Sequence, residues 1–199
     1  MSERQWLLFT PQTPAAPSSL RVTVWRRLQS AGAVSVQQGV WMLPFAPEHE
    51  QSLRALLKDL QAYGGNGLLF VATPCDAEAE TQIVTRFQEE RAKDYAEFVS
   101  RCQDFFQELE KETAAANFSF AELEEIEEDL AKLTSWFRKI QSRDFFPGTR
   151  SEETTALLVR CRNHLDTFTH AVYAAAGLET RAIHDQASLV EPESGELGR

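Results

Sequence analysis

Seven side chains carry the strongest chemical signal in this sequence: Arg21, Trp25, Arg26 and Arg27 in one block, and Arg138, Lys139 and Arg143 in another. Guanidinium groups are planar forks that hold phosphate or carboxylate oxygens bidentately, and an indole among them offers a face for stacking. Such a set binds polyanions; it breaks no bonds. Arg150 follows the second block closely, and the two blocks would form one phosphate-holding surface if the fold brought them together. The competing use of the same cations is pairing with the carboxylates of the run Glu122–Asp129, ELEEIEED, and the sequence leaves both uses open.

Other chemistry is harder to assemble. A carboxylate metal centre in a helical bundle needs ExxH motifs beside its glutamates, and the sequence has none, so the acidic run reads as a solvated helix face. His164 and His170 are six apart, the wrong spacing for one helical face, while His49 and His184 lie elsewhere. Cys102 and Cys161 fall on apolar helical stripes and read as small core residues. No nucleophile-base pairing, P-loop or dinucleotide-binding glycine loop is present, and Gly64-Gly65-Asn66-Gly67 reads as a helix stop and turn. Expected, therefore, is a protein without enzymatic activity, cofactor or metal.

The elements that must position these residues follow from periodicity. Gln5–Thr10 is a short apolar strand closed by Pro11, and a proline-rich loop leads to a helix over Leu20–Ala31, capped by Ser18 or Ser19 and stopped at Gly32. Leu20, Val24, Leu28 and Ala31 form its apolar stripe, leaving Arg21, Arg26 and Arg27 largely off it. Ala33–Phe45 reads as a hairpin turning at Gln37–Gly39; Pro47 opens a second helix with Leu53, Leu56, Leu57 and Leu60 inward; Leu68–Thr73 is a last strand. The order strand, helix, strand, strand, helix, strand predicts a ferredoxin-like βαββαβ domain over residues 1–75.

Beyond Pro74 the pattern is wholly helical. Ala77–Ala116 lacks proline and glycine and carries the stripe Ile83, Phe87, Ala92, Tyr95, Phe98, Val99, Cys102, Phe106 and Leu109. Ser119 with Glu122 forms a capping box for a second helix, whose core face is Leu123, Ile126, Leu130, Leu133, Phe137 and Ile140. A third helix opens near Ser151 and stops at Gly177. The fold class is accordingly α+β, the βαββαβ domain being followed by a three-helix antiparallel bundle over 76–177; residues 178–199 are expected to be unstructured or weakly docked.

Composition narrows the partners. The chain of 199 residues has a net charge of −10, yet residues 1–75 hold six Lys/Arg against four Asp/Glu, a balance of +2, leaving −12 on the remainder. Any polyanion surface must be local, because the overall field repels phosphate. Three scattered cysteines without CxxC spacing, no apolar run long enough to span a bilayer and no export signal predict a cytoplasmic protein that does not enter a membrane.

The blocks WLLFTPQTPAAPSSLRVTVWRRLQSAGAVSVQQGVWMLP, FQEERAKDYAEFVSRC and FSFAELEEIEEDLAKLTSWFRKIQSRDFF together resemble the N-terminal domain of the chromate-resistance regulator family (ChrB), over roughly residues 5–177. That family is similar to the ferredoxin-like core of phenylacetate-type repressors (PaaX), and these in turn to a small nuclease-like CRISPR adaptation subunit. The resemblance implies DNA binding and transcriptional control of chromate export, with Arg21, Arg26 and Arg27 inheriting the role of operator contacts; Trp25, Arg138, Lys139 and Arg143 join them as expected nucleic-acid-binding residues from the basic pattern, and an oxyanion such as chromate is the expected effector. A homodimer on a paired operator would let two weakly basic surfaces add. The first strand ends in Thr10-Pro11 where nuclease-like relatives use an aspartate, so phosphodiester cleavage is not expected. The family usually carries a second, sensing domain, and a chain ending at residue 199 is not expected to sense chromate autonomously. The alternative is a non-catalytic interaction or scaffold module, contacting a protein partner through the acidic helix and through Trp41 and Trp136.

Overall fold

The computed structural model describes residues 4–15 and 18–178. It is a mixed α/β structure with a four-stranded antiparallel sheet and five helices: β1 (Trp6–Gln12), α1 (Ser18–Ser30), β2 (Val34–Gln37), β3 (Val40–Pro44), α2 (Pro47–Ala62), β4 (Asn66–Ala72), α3 (Ala77–Ala114), α4 (Phe120–Gln141) and α5 (Thr149–Ala175). The tail expected over 178–199 lies, apart from Leu178, outside the described residues.

Sheet order is β2-β3-β1-β4, with Leu7 opposite Leu43 on one side and Val71 on the other. Because side chains alternate along a strand, β1 feeds two cores. Leu7 and Phe9 meet Val24 and Leu28 of α1 and Leu53, Leu56 and Leu60 of α2. Trp6 points the other way, into a cluster with Val34, Met42 and Phe87. Pro11 does not end β1 as expected. Pairing with β3 stops at Phe9, but β4 continues alongside, Pro11 facing Gly67, and a residue without an N–H is tolerated where one neighbour remains. Helix α1 also begins earlier than expected and already contains Ser18 and Ser19, so neither is its N-cap.

Helix α3 runs 38 residues, about 57 Å. Asp76 caps it, accepting from Ala79 N at 2.8 Å. Its first turns press Ile83, Val84 and Phe87 onto the sheet; its later turns join α4 and α5. There the buried positions recur at alternating steps of three and four: Tyr95, Phe98, Cys102, Phe105 and Leu109 on α3; Leu123, Ile126, Leu130, Leu133, Phe137 and Ile140 on α4; Leu158, Cys161, Leu165, Phe168 and Val172 on α5. That spacing keeps each apolar seam facing its neighbours. The α4 stripe agrees with the sequence reading throughout. On α3 three positions differ: Phe105 is buried and Phe106 only packs against the core, Arg91 takes the buried place where Ala92 was expected, and Val99 is only half-buried. Ser119 caps α4 by accepting from Glu122 N at 3.2 Å, but the reciprocal arm of the capping box is diverted, because Glu122 Oε2 accepts from Asn117 Nδ2 at 3.1 Å. Helix α5 opens at Thr149, two residues before the expected start.

The segment after α4, Arg143-Asp144-Phe145-Phe146, turns back to the sheet. Phe145 and Phe146 meet Phe87 edge-on, with centroids 6.0 and 5.5 Å away, and Phe146 lies 5.8 Å from Trp6. Gly32, at the end of α1, makes the approach possible: its φ is +79°, and a Cβ there would stand 2.9 Å from the Phe145 ring. Phe87 is 1% exposed at the centre of this contact. Phe87→Ala is therefore expected to cost about 3–5 kcal/mol, read as a fall in the urea midpoint with helicity retained in dilute buffer.

Candidate functional site

Helix α1 presents its basic face as the stripe analysis requires. Val24 and Leu28 are buried, Arg21 and Arg26 are exposed, and Trp25 is 52% exposed. Arg27 is half-buried and bonded through Nη1 to Asp59 of α2. Among the described residues no ion pair joins these three arginines to the acidic run of α4, whose Glu128 and Asp129 bind Lys132 instead. Thus Arg21 and Arg26 stay available to a ligand, while Arg27 is shared with a carboxylate of the same half.

The second basic block is split. Arg138 and Lys139 are exposed in the last turn of α4. Arg143 is half-buried: its Nε donates to Lys139 O at 2.9 Å and its Nη2 stands 3.5 Å from Asp94 Oδ2. Its Cβ also lies 3.1 Å from where a Cβ on Gly32 would sit, so this block abuts the C-terminal end of α1. Arg21, in the first turn of α1, lies at the other end of that 13-residue helix. The structure brings Arg143 to α1, then, but spends it on Asp94.

A second group of clustered polar side chains was not foreseen. Arg91 is 4% exposed, in contact with Asp94, whose Oδ2 stands 2.7 Å from its Nη1. That contact is close but poorly aligned, and Nε and Nη1 of Arg91 have no hydrogen-bond acceptor among the described residues. Burial pulls the Arg91 guanidinium below its ordinary pKa, opposed by the charge of Asp94 and reinforced by that of Arg143. One turn on, Tyr95 Oη donates to Asp144 Oδ2 at 2.7 Å and lies 3.2 Å from Ser151 Oγ. A signal for Arg91 was present in the sequence: it sits four residues from both Phe87 and Tyr95, a charged residue on an apolar stripe.

Elsewhere, Glu108, Glu112 and Glu122 have carboxylate oxygens within 4.8 Å of one another, nearer than the solvated-face reading implied. Glu112 is already engaged, accepting from Asn117 Nδ2 at 2.6 Å and facing Lys111 Nζ at 2.9 Å, which together hold its carboxyl below the usual range. Cys102 and Cys161 are buried in the helical core as expected. A hydrogen bond to Cys161 and burial both push the Cys102 thiol up, away from nucleophile chemistry. Trp41 and Trp136 are half-buried against the two cores, less open than the scaffold reading expected, whereas Trp25 and Phe120 are exposed.

The family model described as "Protein ChrB, N-terminal" matches residues 21–179, from the first arginine of α1 to four residues past the end of α5. This chain belongs to the ChrB N-terminal family. Protein ChrB of Cupriavidus metallidurans (strain CH34) is 24% identical over 149 residues, which are 75% of this chain and 43% of that protein. The chain thus spans less than half the length of that relative. The family block contains every one of the seven basic and aromatic candidates, together with Arg91, Tyr95, Asp144 and Ser151.

Burial, and hydrogen bonding to Asp144, raise the Tyr95 phenol to about 12, above its ordinary value of about 10. A pKa raised on folding stabilises below the unfolded value and is lost as pH climbs through the folded one. The urea midpoint should therefore fall between about pH 10 and 12, more steeply in the parent than in Tyr95→Phe. At pH 7 that variant should be less stable by about 1–2 kcal/mol, since Asp144 loses its donor.

Proposed function

We propose that this protein is a DNA-binding transcriptional regulator linked to chromate resistance, acting as a cytoplasmic homodimer on an operator, without catalytic activity, and responsive to an oxyanion effector such as chromate. The observation that carries the reading is the outward face of α1: Arg21, Trp25 and Arg26 are exposed, without acidic partners among the described residues, in a chain whose net charge is −10. A cationic helix face left open in this way is free to meet a polyanion that comes close enough to escape the overall negative field. Arg138 and Lys139 add two exposed cations at the end of α4, where the helix dipole also favours them. Membership of the ChrB N-terminal family supports the same assignment.

The finer reading of the fold supports it too. A strand order of β2-β3-β1-β4 with antiparallel neighbours is that of a ferredoxin-like βαββαβ unit, which we assign to residues 1–75. The common core of α3, α4 and α5 supports a three-helix antiparallel bundle over 76–177. Among the described residues no helix is long and apolar enough to cross a membrane.

One observation favours a second reading, a protein-interaction module. A groove between α3 and α4 has an apolar floor of Phe105, Ile126, Leu133 and Trp136 and a rim rich in Glu and Asp, suited to a basic amphipathic segment.

Fluorescence anisotropy with a duplex from upstream of the protein's own gene separates the two. Arg21→Ala/Arg26→Ala should weaken binding about tenfold and lower the salt slope by about one per arginine that contacts phosphate. Parent-like binding by that variant, or no binding of the parent at low salt, would sink the DNA reading.

A further inference from the structure

The two edges of the sheet are built differently. β2 is four residues long and is interrupted by a register shift between Ser35 and Gln37, which blunts it as a template for another strand. β4 is seven residues long, about 23 Å, and pairs with β1 in unbroken register from Asn66 to Ala72. It has no second neighbour among the described residues, and residues 60–75 hold no charged side chain. Charges, prolines and bulges are the devices that keep an open edge from pairing, and β4 carries none of them.

The side chains of this edge point the same way. Leu68, Phe70 and Val71 are each about half exposed. Alternation puts Leu68 and Phe70 on the face where Phe87 of α3 covers Trp6, Val34 and Met42, and puts Val71 on the face that carries α1 and α2. A helix or loop laid on the sheet would shelter one group and leave the other wet. A strand added alongside shelters both and takes up the open backbone groups as well.

The sequence of the edge also suits a particular strand, its own copy. Gly67 N is already held by Asn66 Oδ1 at 2.8 Å, so the length left for pairing runs from Leu68 to Ala72, with Phe70 at its middle. Antiparallel pairing of that length with itself sets Phe70 opposite Phe70, Leu68 opposite Ala72 and Leu69 opposite Val71, so every cross-strand pair is apolar. An isologous contact needs such self-complementarity. It also lets two chains of net charge −10 meet along a strip without a carboxylate.

We propose that β4 pairs antiparallel with β4 of a second copy about a two-fold axis at Phe70, joining two four-stranded sheets into one of eight strands. Residues directly opposite in such a pair lie on the same face, so α1 and α2 of both copies stand on one side of the joined sheet. The proposal rests on the homodimer part of the function proposed above, gives it a surface, and is independent of its DNA-binding part.

Light scattering on the full chain as it leaves a sizing column, with no DNA present, tests the contact. At about 100 μM chain the mass should be near twice 22.5 kDa. Phe70→Lys sets two ammonium groups face to face across the axis, and Val71→Lys places a charge on the opposite face of the same edge. Each should weaken self-association at least about tenfold with the circular dichroism spectrum unchanged, since both positions are exposed in the single chain. Hydrogen exchange at the β4 amides should slow as the parent is concentrated and stay unchanged in both variants. A parent that remains monomeric overturns the proposal and leaves the edge to some other strand. A dimer that neither substitution weakens also overturns it, while keeping the homodimer on a different surface. A dimer weakened by Phe70→Lys alone would mean contact through one sheet face and equally overturns edge pairing. The anisotropy experiment reads DNA binding separately, so the two readings fail independently.

Discussion

The contact among Trp6, Phe87, Phe145 and Phe146 constrains the rest of the molecule, because it joins groups from three distant parts of the sequence on one face of the sheet. Aromatic rings meeting edge-on or tilted bury large areas and also fix orientation. With Phe145 and Phe146 anchored, the two residues before them have little freedom. Arg143 is drawn against Gly32 and Asp94, and Asp144 against Tyr95. The start of α5 is then set beside the middle of α3, because the rings hold the intervening segment down.

Charge is distributed in keeping with this architecture. The helices beyond the sheet carry the excess of acid, and their lysines are paired within about a turn: Lys93 with Glu90, Lys111 with Glu108 and Glu112, Lys132 with Glu128 and Asp129. Such exposed pairs contribute little stability, but they leave few cations over. Among the cations outside these pairs, Arg21 and Arg26 lie on α1 and Arg138 and Lys139 at the end of α4, while Arg150, Arg160 and Arg162 lie along α5. An acidic protein can thereby present a basic surface, provided the ligand approaches close enough to escape the overall field, within about 10 Å at ordinary ionic strength.

Much of the fold was legible in the sequence. The α4 stripe and the hairpin at Gln38–Gly39 follow from spacing and turn chemistry alone, since both depend on neighbours a few residues away. What escaped depended on partners far along the chain. Pro11 stays in a strand because β4 runs beside it, and Arg27 is neutralised by Asp59, 32 positions away. Local periodicity allowed either Phe105 or Phe106 inward, and the three-four rhythm shared with α4 and α5 decides it. The basic candidates were visible as residue types and the α1 stripe placed Arg21 and Arg26 outward, but the pairing of Arg27 with Asp59 and of Arg143 with Asp94 was not visible. Arg91 and Tyr95 were hidden inside a stripe that reads as ordinary core, and Asp144 and Ser151 in a turn with no period at all.

Helix α3 carries the stripe of the helical core on its later turns and covers the sheet with its earlier ones, without a glycine or proline between them. Residues before Pro74 therefore do not contain all of their own core: Trp6, Val34 and Met42 are sealed by Phe87 and its neighbours. Local opening of α3 would uncover both clusters together, which couples the exposure of the sheet's outer face to that of the helical core. The compositional boundary near residue 75 does not coincide with a boundary of the packing, because the cluster of Trp6, Val34 and Met42 is completed by Phe87.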